Sequence, residues 1–146
     1  MLLKYSLSLV FITFICIQIS NAQMTVGVYK GTFYSQLGIG TNPEKKYFAE
    51  GRLFAGDYLN PFAGIEGIGQ YNFIRSEWYN LSGGLMLGYS EFDDGRVGLH
   101  SMLSIKPIEA HRNLALILEA TPFYSYDNFT LRANIGIRYT LGRNRE

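Results

Sequence analysis

From residue 129 to residue 141 apolar and polar positions alternate without a break. Phe129, Leu131, Ala133, Ile135, Ile137, Tyr139 and Leu141 are apolar, and Thr130, Arg132, Asn134, Gly136, Arg138 and Thr140 between them are small or polar. A period of two is a strand signature, because successive side chains point to opposite faces. Length adds to the argument, since strands in globular domains usually run about 5–6 residues. A strand that crosses a bilayer needs about 9–11 tilted residues, apolar on one face, polar on the other and aromatic at the boundaries. This segment has all of those features and predicts a membrane-spanning strand.

Turn signals divide the preceding chain at residues 42–46, 56–61, 75–77, 93–96, 106–112 and at Asp127-Asn128, with centres about 14 to 19 residues apart. A soluble β-sandwich usually turns every 8–12 residues, so long arms with short turns predict an up-and-down meander. Along residues 78–92, Tyr79, Leu81, Leu85, Leu87 and Tyr89 oppose Asn80, Ser82, Gly84, Gly88 and Ser90. Along residues 97–106, Val97, Leu99, Leu103 and Ile105 oppose Gly98, His100, Met102 and Ser104. After Arg112, Leu114, Leu116, Leu118, Ala120 and Tyr124 oppose Glu119, Thr121 and Ser125; after Phe62, Ile65, Tyr71 and Phe73 oppose Glu66, Gln70 and Asn72. Residues 47–55 are mixed, because Phe48 and Phe54 share a side with Glu50 and Arg52, and in residues 23–40 neither parity is cleanly apolar.

Turn chemistry suggests register. A three-residue Asp93-Asp94-Gly95 loop pairs Phe92 with Arg96 and sets Glu91 beside Val97 and Ser90 beside Gly98. The Asp127-Asn128 turn pairs Tyr126 with Phe129 and sets Glu119 opposite Gly136, with Arg138 as a diagonal neighbour. Six turns give seven strands, and residues 23–30 supply an eighth, with a bend near Gly31-Thr32. An open sheet edge cannot sit in lipid, and an even count returns both ends to one side. The expected fold is therefore all-β, an up-and-down antiparallel transmembrane β-barrel of about eight strands.

The first 22 residues are expected to be a signal peptide. Lys4 is basic, residues 7–17 are almost wholly apolar, and Ser20-Asn21-Ala22 ends on a small residue suited to cleavage. Eleven apolar residues fall short of the roughly 20 of a spanning helix. Cys16 invites a lipoprotein reading, but the bulky Ile15 before it disfavours that. The expected organisation is a signal at residues 1–22 and one barrel domain at residues 23–146. Cys16 is the chain's single cysteine, so the domain is expected to be stabilised without disulfides. Lys4 is one of 13 basic residues, and its removal leaves 12 against the 12 acidic ones. No basic face suggests nucleic acid.

The signal, the long alternating arms, the aromatic boundaries and the amphipathic last strand resemble the small eight-stranded bacterial outer-membrane barrels of the OmpA/OmpX kind. Glycine- and tyrosine-rich segments such as residues 136–142 (Gly-Ile-Arg-Tyr-Thr-Leu-Gly) are similar in style to barrels of Bacteroidota. That family commonly ends on an aromatic residue read by the insertion machinery. Here Arg143, Asn144, Arg145 and Glu146 follow, and Tyr139 is the expected substitute. The resemblance implies the cell outer membrane of a Gram-negative bacterium, with the lipid bilayer and the barrel-insertion machinery as partners.

Inside such a barrel Glu50, Glu66 and Glu119 face Arg52, Arg132 and Arg138, with Lys106 near a rim. Buried charges are costly unless paired, and eight strands leave an interior that side chains just fill. The expected state is a salt-bridged plug with a structural or interaction role, and specifically Glu119 coupled to Arg138. A narrow ion pore along the same charges is the alternative. A lipid-modifying enzyme would need a nucleophilic Ser with a His and a carboxylate in reach. His100 faces the lumen while the adjacent Ser101 faces out, and His111 lies in a turn, so no enzyme is expected. No catalytic, cofactor-binding or metal residues are assigned, and no cofactor is implied. A soluble periplasmic lipocalin-like binder would show rows of Lys and Glu on its polar face; this polar face holds Gly, Ser, Asn and paired charges. The loops are too short for a dedicated receptor or adhesin.

Overall fold

A computed structural model describes residues 23–32, 34–56, 62–91, 94–126 and 128–142. Eight strands follow in order: β1 Thr25–Gly31, β2 Tyr34–Gly40, β3 Tyr47–Gly56, β4 Ala63–Arg75, β5 Tyr79–Ser90, β6 Arg96–Ile105, β7 Leu114–Ser125 and β8 Asn128–Thr140. A 3-10 turn, Glu109–His111, precedes β7. Each strand pairs antiparallel with its sequence neighbours, and β1 pairs with β8 from Thr25↔Thr140 to Gly31↔Asn134. The sheet is thus a closed barrel of eight strands. Closure leaves no row of unpaired backbone groups at an edge. The expected first hairpin, with its bend near Gly31-Thr32, is present.

The faces follow the alternation. On β8, Phe129, Leu131, Ile135 and Ile137 are 52–72% exposed, while Arg132, Asn134, Arg138 and Thr140 are at most 6% exposed. In β3, Phe48, Glu50, Arg52 and Phe54 are all buried in the lumen. The mixed parity there is real, since aromatic rings line the inside among the charges. The arm at residues 23–40 was unreadable for the same reason. Tyr29, Tyr34 and Gln36 point inward, and Val28, Leu37 and Ile39 point outward with Lys30 and Ser35 among them. At β4 a bulge between Asn72 and Ile74 leaves both Phe73 and Ile74 on the outside. An extra residue in one strand of a pair re-aims its neighbours, and here it keeps Asn72 inward.

Two registers differ from those suggested by turn chemistry. Between β5 and β6, Leu87 pairs with Val97 and Met86 with Gly98, four positions from the expected alignment. The end of β5 pairs with β4 instead, through Gly64↔Ser90. Closing a barrel requires strands to be staggered, so one hairpin arm runs past its partner. Gly88 opposite Arg96 makes room for it, because a Cβ there would meet Arg96 Cγ at 2.8 Å. Between β7 and β8 the shift is two positions: Glu119 faces Asn134, and Gly136 faces Ile117. The turn falls at Tyr126, whose φ is +48°. Gly136 is needed by another strand, since a Cβ there would meet Tyr29 Cδ1 at 2.3 Å. Both shifts are even, so every side chain keeps its expected face. The expected signal at residues 1–22, residues Phe92, Asp93 and Asp127, and the tail after Gly142 lie outside the described residues.

Candidate functional site

The middle of the lumen holds a connected set of polar side chains. Strand parity sends Glu50 and Arg52 inward from β3, and Arg52 Nε donates to Glu50 Oε1 at 2.8 Å. From the same guanidinium, Nη1 and Nη2 donate to Glu119 Oε1 and Oε2 on β7 at 2.6 and 2.9 Å. Asn134, directly opposite Glu119, donates to its Oε1 at 2.6 Å. Arg138 Nη2 reaches the second oxygen of Glu50 at 2.5 Å. Glu119 therefore pairs with Arg52 and Arg138 with Glu50; the expected Glu119–Arg138 pair is replaced by two pairs that share the Glu50–Arg52 link. The two-position register shift carries Arg138 away from Glu119 and brings Asn134 to it.

Gln36 joins this group to a second one nearer the loop end of the barrel, where β1, β3, β5 and β7 finish. Its Oε1 accepts from Arg52 at 3.1 Å and from Asn134 at 3.2 Å, and its Nε2 donates to Glu66 Oε2 at 3.0 Å. Arg132 clamps Glu66 with two hydrogen bonds, at 2.5 and 3.0 Å, and donates to Tyr34 Oη at 2.6 Å. Arg96 approaches Glu66 at 3.4 Å and Ser90 Oγ at 3.2 Å. The described lumen thus holds Glu50, Glu66 and Glu119 with four guanidiniums, Arg52, Arg96, Arg132 and Arg138. The turn signal at residues 93–96 takes in Arg96, yet Arg96 shares the parity of Gly98 and His100. Extending the β6 alternation by one step would have found it.

Both ends of the lumen are covered. Toward the loops, Tyr34, Phe54 and Phe62 form a triangle with ring centroids 5.4–6.1 Å apart. The Arg96 guanidinium lies 4.7 Å from the Phe54 ring and 5.3 Å from Phe123. At the end where β1 begins and β8 finishes, the turn at residues 41–46 folds across the mouth. Glu44 offers both carboxylate oxygens to Lys106 Nζ at 3.0 Å, and Lys106 also donates to the Ser76 carbonyl at 3.0 Å. The turn is held by Asn72 Nδ2, which donates to the Pro43 and Lys45 carbonyls at 2.7 and 2.6 Å. Glu44 carried no sequence signal, because a turn glutamate ordinarily faces water.

His100 is buried at 2% exposure. Its Nδ1 lies 2.8 Å from Thr121 Oγ1 and its Nε2 is 3.5 Å from Glu119 Oε2. Hydroxyl, imidazole and carboxylate are thus in line, but Glu119 is held by Arg52, and Thr121 is only 1% exposed. A nucleophile needs a substrate within reach, and among the described residues this hydroxyl is buried. Ser101 faces outward and donates to the Ala120 carbonyl at 2.9 Å. Among the described residues no group of three or more His, Cys, Asp and Glu is arranged to hold a metal ion.

No protein-family model matches the chain. No curated protein matches it significantly either. Solved structures do. The N-terminal β-barrel domain of Pseudomonas aeruginosa OprF aligns with a TM-score of 0.62 at 10% identity, over 82% of this chain and 96% of that one. A de novo designed transmembrane β-barrel aligns with a TM-score of 0.62 at 15% identity, over 82% and 95%. The Yersinia pestis outer membrane protein Ail, determined in a phospholipid bilayer nanodisc, aligns at 0.52 and 12% identity, over 83% and 100%. At such identities the likeness is one of fold. The chain shares the closed eight-stranded up-and-down architecture of the small outer-membrane barrels.

Proposed function

We propose that this protein is an integral barrel of the outer membrane with a closed lumen, serving a structural or interaction role and not catalysis or bulk permeation. The observation that carries the reading is the inversion of polarity. Arg52 and Arg138 are at most 2% exposed, while Leu131, Leu87, Leu85 and Leu99 are 61–67% exposed. A soluble protein built this way would place its apolar surface in water and bury its charges. In a bilayer the same arrangement is favourable, with strands as the spanning element. The fold likeness to OprF, Ail and designed transmembrane barrels supports the same placement. The signal at residues 1–22, cleavage after Ala22 and delivery by the barrel-insertion machinery belong to this reading.

The polar set from Lys106–Glu44 to Arg132–Glu66, beneath the Tyr34–Phe54–Phe62 triangle, supports a plug. Planar-bilayer recording of the refolded protein tests it, and the expected result is no steady conductance. A stable ohmic current would favour the narrow ion pore. Cell fractionation tests the placement: recovery in a carbonate-resistant membrane fraction is expected, whereas recovery as soluble periplasmic protein would favour the lipocalin-like reading.

A further inference from the structure

The outer face of β3 and β4 carries a hollow. Gly51 pairs with Gly67 and Ala49 with Gly69, so four small residues form a two-by-two block on the outside of adjacent strands. The space above them measures about 680 Å³ and is lined almost wholly by apolar groups, with Ile39 and Leu87 as side walls. Nothing inside the barrel requires glycine there. A Cβ on Gly67 or Gly69 would meet nothing within 4 Å, and neither has positive φ. The lumen glycines differ, since Gly64, Gly84 and Gly136 are filled by a ring or by backbone. Glycine weakens a strand interior and often marks where something else approaches closely.

Along the β3–β4 ladder the hollow lies between the outward pairs Leu53↔Ile65 and Tyr47↔Tyr71, and it opens to the rim alongside the second pair, past Met24 and Thr41. Toward the loops the next pair on the same face, Leu53↔Ile65, forms a ridge, with side chains 60% and 57% exposed. A second hollow, of about 630 Å³ and lined in part by Ser35, Ala55 and Ala63, lies beyond this ridge. That rim is at the end where β1 begins. Cations gather at that rim. Lys45 and Lys46 are exposed, and Lys46 Nζ lies 5.5 Å from the ring of Tyr71. That ring stacks edge-on to Tyr47 at 5.2 Å, just below the block. The turn's own carboxylate, Glu44, is bound to Lys106 inside the mouth.

We propose that this hollow is a specific site for one anionic phospholipid of the leaflet at the end where β1 begins. One acyl chain lies over Ala49, Gly51, Gly67 and Gly69 and ends at the Leu53–Ile65 ridge, and the phosphate rests on Lys45 and Lys46. The inference rests on the proposed membrane placement. A hollow that opens toward the headgroups beside two lysines fits a lipid; a flat protein partner would need neither the opening nor the charge. In hydrocarbon the preference comes from close packing against small residues, and near the headgroups from cation–anion attraction.

Native mass spectrometry of protein refolded in vesicles of equal phosphatidylglycerol and phosphatidylcholine tests the site. Wild type should retain one phosphatidylglycerol. The pair Gly67→Leu and Gly69→Leu fills the hollow without an internal clash, and should lower the retained fraction about fivefold or more for either lipid. The pair Lys45→Gln and Lys46→Gln should keep a bound lipid but lose about fivefold or more of the preference for phosphatidylglycerol. A heat-sensitive gel shift establishes folding in each case. A folded wild type that retains no lipid, or glycine variants that retain as much as wild type, would overturn the site and leave the membrane placement intact. A wild-type dimer lost in the glycine variants would overturn it in favour of a second copy. Failure of every variant and of wild type to enter vesicles would instead strike at the placement itself.

Discussion

At the scale of single residues the lumen is a set of charges that tolerate burial only together. Desolvating an ion costs several kcal/mol, and breaking a buried pair typically costs about 3–5 kcal/mol because it strands the partner. Glu119→Gln should therefore destabilise the barrel by up to about 3–5 kcal/mol, since it takes away the carboxylate that receives two of Arg52's hydrogen bonds and leaves Glu50 as that guanidinium's ion-pair partner. Adding Arg52→Met should recover part of the loss. Urea unfolding in lipid vesicles, run as a double-mutant cycle, checks both statements. The Glu119–Arg52 coupling should exceed the Glu119–Arg138 coupling by at least about 1 kcal/mol, because the second pair touches only through Glu50 and Arg52. Glycine makes a separate prediction. Gly136 cradles the ring of Tyr29, with Cδ1 2.3 Å from where a Cβ would stand. Gly136→Val should cost about 1–3 kcal/mol as an overpacked site, measured by the same titration.

Among the strands, face and depth set what each position tolerates. Ile135 lies mid-strand on β8 and is 52% exposed on the outer face. A lysine there would meet hydrocarbon, at a cost of roughly 2–4 kcal/mol. Phe129 lies on the same face six residues nearer the loops, and Phe129→Lys should cost only about 0–1 kcal/mol, as expected close to an interface. Equal costs in vesicle-folding titrations would mean that β8 does not cross a bilayer. The alternation by itself placed the inner and outer faces of β4 to β8 correctly. It failed on residues 23–40 and blurred on residues 47–55, where Tyr29, Tyr34, Phe48 and Phe54 turn inward to pack on arginines. Aromatic rings inside a lumen read as apolar in sequence, so parity loses its contrast wherever cation–π packing substitutes for polar lining.

For the molecule as a whole, closure makes every strand an interior strand. β1 is paired on both sides, with β2 and with β8. Proline cannot donate to a ladder and is confined to edges and bulges in open sheets. Pro122 of β7 sits where pairing with β6 lapses, between Gly98↔Phe123 and Ser101↔Ala120. Val28, by contrast, is paired on both sides, so Val28→Pro should lower the folded yield in vesicles, read as loss of the heat-sensitive gel shift. A protein whose first strand was a free edge would tolerate the change.

Fold class, strand number, the faces of β4 to β8 and the inversion of polarity were legible in the sequence, because a period of two is local. Each residue's side is decided by its immediate neighbours, and an even slip in register leaves that side unchanged. Register and pairing were decided only by the tertiary structure. The stagger between strands must close around all eight, so the alignment of β5 with β6 depends on β4, and that of β7 with β8 depends on Tyr29 of β1 seated over Gly136. For that reason Arg52 finds Glu119, 67 residues away, and Glu44 folds inward to Lys106, although neither partner could be chosen from local pattern.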